Sequence, residues 1–334
     1  PRSTTPAPLR GGWARRTVGG TPAQVPIQLP MTIAWMGLAK GAWGAYLRSN
    51  TLSQRFLMFR IVTPIAFVAT LIAAPLWAQD QDSSKTDALL ETIGMPQIIE
   101  IMREEGIAYG EVLATDMLPN GPNDQWAMAV STIYDVDMMY EEVSGAFEEA
   151  VDGSDLDAML AFFASEAGQK IIGLEISARR ALLDDAVEQA SKENAAIAMM
   201  DATPRYLMVQ EFVAANDLIE ANVVGALNSS YAFYTGLIDG GAMPAGVTAE
   251  TALQDVWAQE PDVRSETTEW VYSFLLMAYQ PLSDEELEAY TAFSRTEASQ
   301  DMSAALFVAF DGMFEDISRA LGLASSRFMI SQEL

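Results

Sequence analysis

Two glutamates, Glu166 and Glu297, hold the same place in two similar stretches 131 positions apart. A pair of carboxylates is the equipment of glycoside hydrolysis, one acting as acid and the other as base or nucleophile. Each glutamate also suits a plainer role, because an acid in the first turn of a helix is favoured by the helix dipole. The run Asp152-Gly153-Ser154-Asp155-Leu156-Asp157, with Glu148 and Glu149 nearby, offers the hard oxygens that calcium takes. Gly153 is misplaced for the D-x-[DN]-x-[DN]-G loop, however, and helix capping accounts for Asp152 and Asp155. Arg179 and Arg180 stand together in a chain poor in bases and could clamp an anion. Pairing along one helix is the favoured account, with Glu175 four residues before Arg179 and Asp184 four after Arg180.

The second half is rich in rings: Trp257, Trp270, Tyr272, Phe274, Tyr279, Tyr290 and Phe293 could line a sugar or peptide groove, or fill a core. Met199, Met200 and Met208 pose the same choice between an adaptable surface and core gap-filling. In every case packing, capping or pairing needs fewer assumptions than chemistry. We therefore assign no catalytic, cofactor-binding or metal-binding residue from the sequence, and no cofactor.

Composition narrows the chemistry further. The 334 residues include no cysteine and no histidine. Thiolate nucleophiles, disulfides and thiolate metal sites are excluded, and so are the Ser-His-Asp triad and histidine-ligated zinc. The net charge of −27 speaks against nucleic acid or a bare anionic membrane as partner.

The charge is unevenly distributed. Arg2, Arg10, Arg15, Arg16, Lys40, Arg48, Arg55 and Arg60 precede position 79 with no acid among them, and all 46 Asp and Glu follow it. An export signal coincides with this boundary. Arg55 and Arg60 form a basic region, Ile61 to Pro75 an apolar one, and Ala78 supplies a small residue before Gln79-Asp80. The expectation is a signal peptide over 58–78. The alternative is an uncleaved anchor over 61–78, whose 18 residues would make a helix of roughly 27 Å against a hydrocarbon core of ~30 Å. Residues 1–57 mix Pro, Gly, Thr and Arg without period. They read as a disordered upstream extension, with Met58 or Met31 as candidate start.

The elements that would position these side chains all read as helices. Helical spacing predicts Asp87 to Ile93 ending at Gly94, then a helix opened by Pro96 whose stripe runs through Ile98, Ile99, Met102, Ile107 and Val112 towards Leu118. Residues 119–123 read as a loop, Asp124 as the cap of a helix from Gln125 to Ala150, and Arg205 to about Ile238 as another long helix. Residues 240–246 form the clearest loop. From Ala298, the positions Met302, Ala305, Leu306, Ala309, Phe310, Met313, Phe314 and Ile317 make one apolar face.

A duplication organises this pattern. Asp152 to Lys170 and Ser283 to Asp301 share Leu156/Leu287, Ala158/Ala289, Ala161/Ala292, Phe162/Phe293, Glu166/Glu297, Ala167/Ala298 and Gln169/Gln300 at constant offset. Asp152 or Ser283 can cap a first helix, with Asp155 or Glu286 three residues on. Ser165 or Thr296 caps a second, longer helix after a sharp corner, where small Gly168 or Ser299 lets the helices approach.

The run Phe162-Phe163-Ala164-Ser165-Glu166-Ala167-Gly168-Gln169-Lys170 resembles the F-[FY]-x-S-x-x-G-x-K corner of the bacterial domain of unknown function 2059. Leu89 to Gly94 fits that family's first helix, and the resemblance covers roughly residues 85–190. In the second copy Ser299 and Asp301 replace the Gly and the Lys. The resemblance implies an exported helical protein and carries over no catalytic residue.

The reading is an all-α helical bundle of two related helix-corner-helix units, 82–201 and 204–323, followed by a tail at 324–334. The expected location is the periplasm of a Gram-negative bacterium, without stable membrane insertion once the signal is cleaved. The expected role is a non-enzymatic interaction or accessory module of the cell envelope, with an unidentified protein or small molecule as partner. A small-molecule or lipid binder with a cavity between helices is the alternative, and a carboxylate-dependent hydrolase the weaker one.

Overall fold

The computed structural model describes residues 76–244 and 246–330, and every regular element among them is an α-helix. The upstream extension and most of the signal segment lie outside the described residues. In chain order the helices are α1 Leu76–Thr92, α2 Met95–Met117, α3 Asp124–Ile133, α4 Val136–Ala150, α5 Leu156–Phe163, α6 Glu166–Ala181 and α7 Asp185–Met200. There follow α8 Pro204–Ala215, α9 Leu218–Asp239, α10 Ala249–Ala258, α11 Glu260–Ala278, α12 Asp284–Ser294 and α13 Glu297–Ile330. No helix among the described residues is long and apolar enough to cross a membrane.

Several boundaries differ from the sequence reading, each for a local reason. The first helix begins at Leu76, not Asp87, although Gly94 in the left-handed region (φ 75°) still separates it from α2. On α2, Val112 is 56% exposed, and Leu113 and Ala114 are buried in its place. Steps of five residues, from Met102 to Ile107 to Val112, drift off a face that steps of three and four would hold. The helix expected over 125–150 breaks into α3 and α4. Asn123, not Asp124, caps α3, and Asp135 caps α4 by accepting from the Met138 amide. Arg103 on α2 donates to the Ser131 and Tyr134 carbonyls, which satisfies the end of α3 and stabilises the break. The helix expected over 205–238 likewise breaks, at left-handed Asp217 (φ 49°), with Asn216 turned back onto the Phe212 carbonyl. In the segment expected as a loop, Gly241 and Gly246 have positive φ. Helix α13 buries the predicted stripe, apart from the half-buried Phe314, and continues through 324–330, so this part of the expected tail is helical.

The first corner starts later than expected. Asp155, not Asp152, is the N-cap of α5, because Asp152 and Gly153 belong to the preceding turn. At the second corner Ser283 and Glu286 form the anticipated capping box. The corners themselves close alike. Ser165 Oγ accepts from the Gly168 amide and Thr296 Oγ1 from the Ser299 amide. The Gln169 amide group donates to the Phe163 carbonyl, and that of Gln300 to the Ser294 carbonyl.

Two main cores result. The first joins α1 to α5 with the inner faces of α9 and α13, around Phe147, Trp126, Met159 and Phe310. The second joins α6, α7, α8, α11 and α12, around Val209, Phe274, Tyr279 and Leu287. Helix α6 serves both, turning Ile172 to the first and Ile171 and Ala178 to the second. The corner rings Phe162 and Phe293 lie against both cores and stack on each other, with centroids 3.6 Å apart and planes within 2°.

Candidate functional site

The most perturbed chemistry lies on α6, where two charged residues occupy positions that its apolar stripe would otherwise fill. Gly168, Ile171, Ile172, Glu175, Ala178 and Arg179 follow one another at steps of three and one and are all buried. Arg179 does not pair with Glu175, contrary to the spacing argument. It reaches across to α2, where Nε and Nη2 meet the two carboxylate oxygens of Glu105 at 3.3 and 2.9 Å. Arg180 is exposed, and Asp184 is engaged in capping α7 through the Ala186 and Val187 amides.

Glu175 is left among neutral groups. Its Oε1 accepts a 2.5 Å hydrogen bond from the Tyr279 hydroxyl at the end of α11, and Tyr290 on α12 stands within electrostatic reach. Its Oε2 is buried without a hydrogen-bond partner. Burial pushes the carboxyl up to about 8, the two tyrosines opposing only part of that shift. Burial and the neighbouring carboxylate raise Tyr279 and Tyr290 well above the ordinary phenol range. Glu175 borders a cavity of about 30 Å³ whose other polar walls are Asn216, Ser294, Ser299 and Ser303 as well as the two tyrosines. That volume holds about one or two water molecules, and an organic substrate would not fit.

The carboxylates singled out by sequence do not form this site. Glu166 and Glu297 are both exposed, in the first turns of α6 and α13. Asp152, Asp155 and Asp157 are exposed too; Asp155 caps, and Asp157 meets Lys85 at 2.7 Å. No group of three or more potential metal ligands is present among the described residues. Of the rings, Tyr272, Phe274, Tyr279 and Tyr290 are buried in the second core and Trp270 stacks on Phe274, whereas Trp257 is 50% exposed. Sequence reasoning missed Glu175 as a site residue. The available signal was a charge placed on an apolar stripe.

Two apolar surface features lie apart from this site. A groove of about 240 Å³ between α2 and α3 is floored by Ile107, Trp126 and Val130, with Glu111 and Asp124 at its rim. At the tip of the α7–α8 hairpin, Ile197, Met200 and Leu207 are 53%, 77% and 50% exposed. Between Ala195 and Pro204 the chain carries a single charge, Asp201.

Fold and site together define an all-helical bundle with a sealed acid at the meeting of its two cores. Residues 137–196, from α4 through most of α7, match the family model described as uncharacterized protein conserved in bacteria (DUF2059). The matched segment contains the Phe162–Lys170 corner, Glu175 and Arg179. No curated protein and no solved structure matches the chain.

Proposed function

We propose that the chain is an exported, non-enzymatic interaction module of the bacterial envelope, and that the tip of the α7–α8 hairpin makes its principal contact. The observation that carries this reading is the exposure of Ile197, Met200 and Leu207 beside a nearly uncharged turn, in a chain whose surface is otherwise strongly acidic. Flexible Met side chains at such a tip can repack against a partner. The size of the Glu175 cavity supports the same reading, since it leaves the most perturbed acid out of reach of a substrate.

We also read the chain as a duplication, with units 82–201 and 204–323. The matching caps of Ser165 and Thr296 on the second helix of each corner and the stacking of Phe162 on Phe293 support it. A second reading, a binder of small apolar ligands, is favoured by the groove over Trp126. Its 240 Å³ is just below the usual range for a ligand pocket, about 300–1,000 Å³.

Export is tested by expressing the chain with a C-terminal tag in a Gram-negative host and fractionating the cells. The expected product is periplasmic and begins at Gln79; unprocessed chain in the cytosol would sink the export reading. Contact is tested by cross-linking the mature protein in envelope preparations beside a double variant, Ile197→Glu with Met200→Glu. Both residues are exposed, so the fold should survive. A partner captured equally by both proteins would remove the hairpin from the contact.

A further inference from the structure

We propose that Glu175 and its cavity are a proton-binding site that latches α6 to α8, α11, α12 and α13, so that the second core is held most tightly when the carboxyl carries its proton. The inference is independent of the interaction reading.

The geometry supplies the argument. The cavity lies where six helices and the end of α11 converge, and Glu175 brings the one acidic group to it. The titratable groups facing it are Tyr279, at the end of α11, and Tyr290 on α12. From α5, α8, α9 and α13 it meets only uncharged side chains. The nearest cation along α6, Arg179, is committed to Glu105. An ionised Glu175 would therefore be a buried charge with one oxygen hydrogen-bonded to Tyr279 and the other unpaired, the arrangement that a protein interior tolerates least. A protonated Glu175 keeps the Tyr279 bond on Oε1 and carries no charge to solvate. Loss of the proton then favours either entry of water or separation of α6 from the helices that seal the cavity.

The sign follows from linkage. The folded-state midpoint, about 8, lies above the ordinary carboxyl value of 4.5, so the folded state binds the extra proton. The stabilisation is complete below the unfolded value and is lost as pH rises through the folded one. Within that window the folding constant falls roughly tenfold per pH unit from this group alone. The direction is opposite to that of a salt-bridged carboxylate, which weakens in acid.

The test uses the full chain with ¹³C-labelled glutamate carboxyls. One carboxyl resonance should titrate above pH 7 and vanish in Glu175→Gln. Denaturant melts from pH 5 to 9 should show a wild-type stability loss that Glu175→Gln lacks. Hydrogen exchange, corrected for intrinsic rates, should show peptides covering 166–181 and 275–295 losing protection above pH 8 ahead of α2 and α3. Should Glu175→Gln fail to fold, Tyr279→Phe serves instead. It removes a donor that favours the ionised form, so the resonance must move to higher pH. The proposal is overturned if every glutamate titrates below pH 6, if the variant keeps the wild-type pH dependence, or if added sodium or potassium protects the wild type alone, which would make the site a cation site.

Discussion

The Arg179–Glu105 pair allows an asymmetric test of how α6 is held to α2. Arg179 is 3% exposed and Glu105 14%, and their two contacts make a bidentate pair. Replacing Glu105 with Leu leaves a guanidinium almost wholly buried and unpaired. Breaking a buried pair in this way costs about 3–5 kcal/mol. Replacing Arg179 with Met keeps most of the packed volume and leaves a carboxylate that can reach water, so the loss should be smaller, about 1–2 kcal/mol. The double variant, Glu105→Leu combined with Arg179→Met, removes both charges and sets two apolar side chains against each other. It should recover much of the loss, because two apolar groups of similar shape are often as good as a buried ion pair. For a body of this size each kcal/mol shifts the melting temperature by about 2–4 °C. The order expected in thermal melts monitored by circular dichroism is wild type and double variant highest, Arg179→Met below them, and Glu105→Leu lowest by about 6–20 °C. If the two single variants melt together, or if the double variant is as weak as Glu105→Leu, the desolvation argument is wrong and the pair is an ordinary surface contact.

The stacked corner rings predict a measurable coupling: a double-mutant cycle with Phe162→Leu and Phe293→Leu should return about 0.5–1.5 kcal/mol in denaturant melts, and a value near zero would mean that the rings merely share a site. Gly168→Ala should destabilise by about 1–3 kcal/mol, since its Cβ would lie 2.3 Å from the Phe162 carbonyl oxygen and 2.7 Å from the Phe163 Cα. Gly173→Ala, five residues along the same helix with open space around it, should instead stabilise by up to about 1 kcal/mol; the same melts check both.

The helical class and the corners were legible because they rest on local rules. Ser165 and Thr296 cap because their hydroxyls meet amides three residues on, a relation that sequence displays directly. The stripe of α13 was legible for the same reason, its period being the helix's own. What escaped was decided at a distance. The break between α3 and α4 depends on Arg103, 28 residues before Ser131 and 31 before Tyr134. Glu175 and Arg179 invited an i,i+4 pairing, yet each found its partner on another helix, Tyr279 and Glu105 respectively. Spacing gives the helix face a side chain occupies, but the helix that arrives opposite is set by tertiary packing. Glu166 and Glu297 follow a local rule as well: both lie exposed in first turns, where the helix dipole favours an acid.

The two charged residues on the buried face of α6 are one turn apart and are treated oppositely, which gives the helix a direction of response. Arg179 meets a full countercharge on Glu105, a contact with α2 that the titration of Glu175 does not touch. Glu175 meets only hydroxyls, and its burial against the end of α11 is most favourable when the carboxyl is neutral. A rise in pH therefore acts on one side of α6 and spares the other. Any resulting movement should pivot about the Arg179–Glu105 contact and open towards Tyr279 and Tyr290, leaving the first core closed. Helix α7 follows α6 after a turn of three residues and carries Ile197 and Met200 near its far end. Helix α7 is itself anchored to α11, where the buried Ser191 hydroxyl donates to the Ser273 carbonyl, so the hairpin tip stays with α11 when α6 parts from it. An opening between α6 and α11 therefore requires the distance between spin labels at Met200, carried with α11, and Val112, on α2, to shift with pH in wild type and to stay fixed in Glu175→Gln.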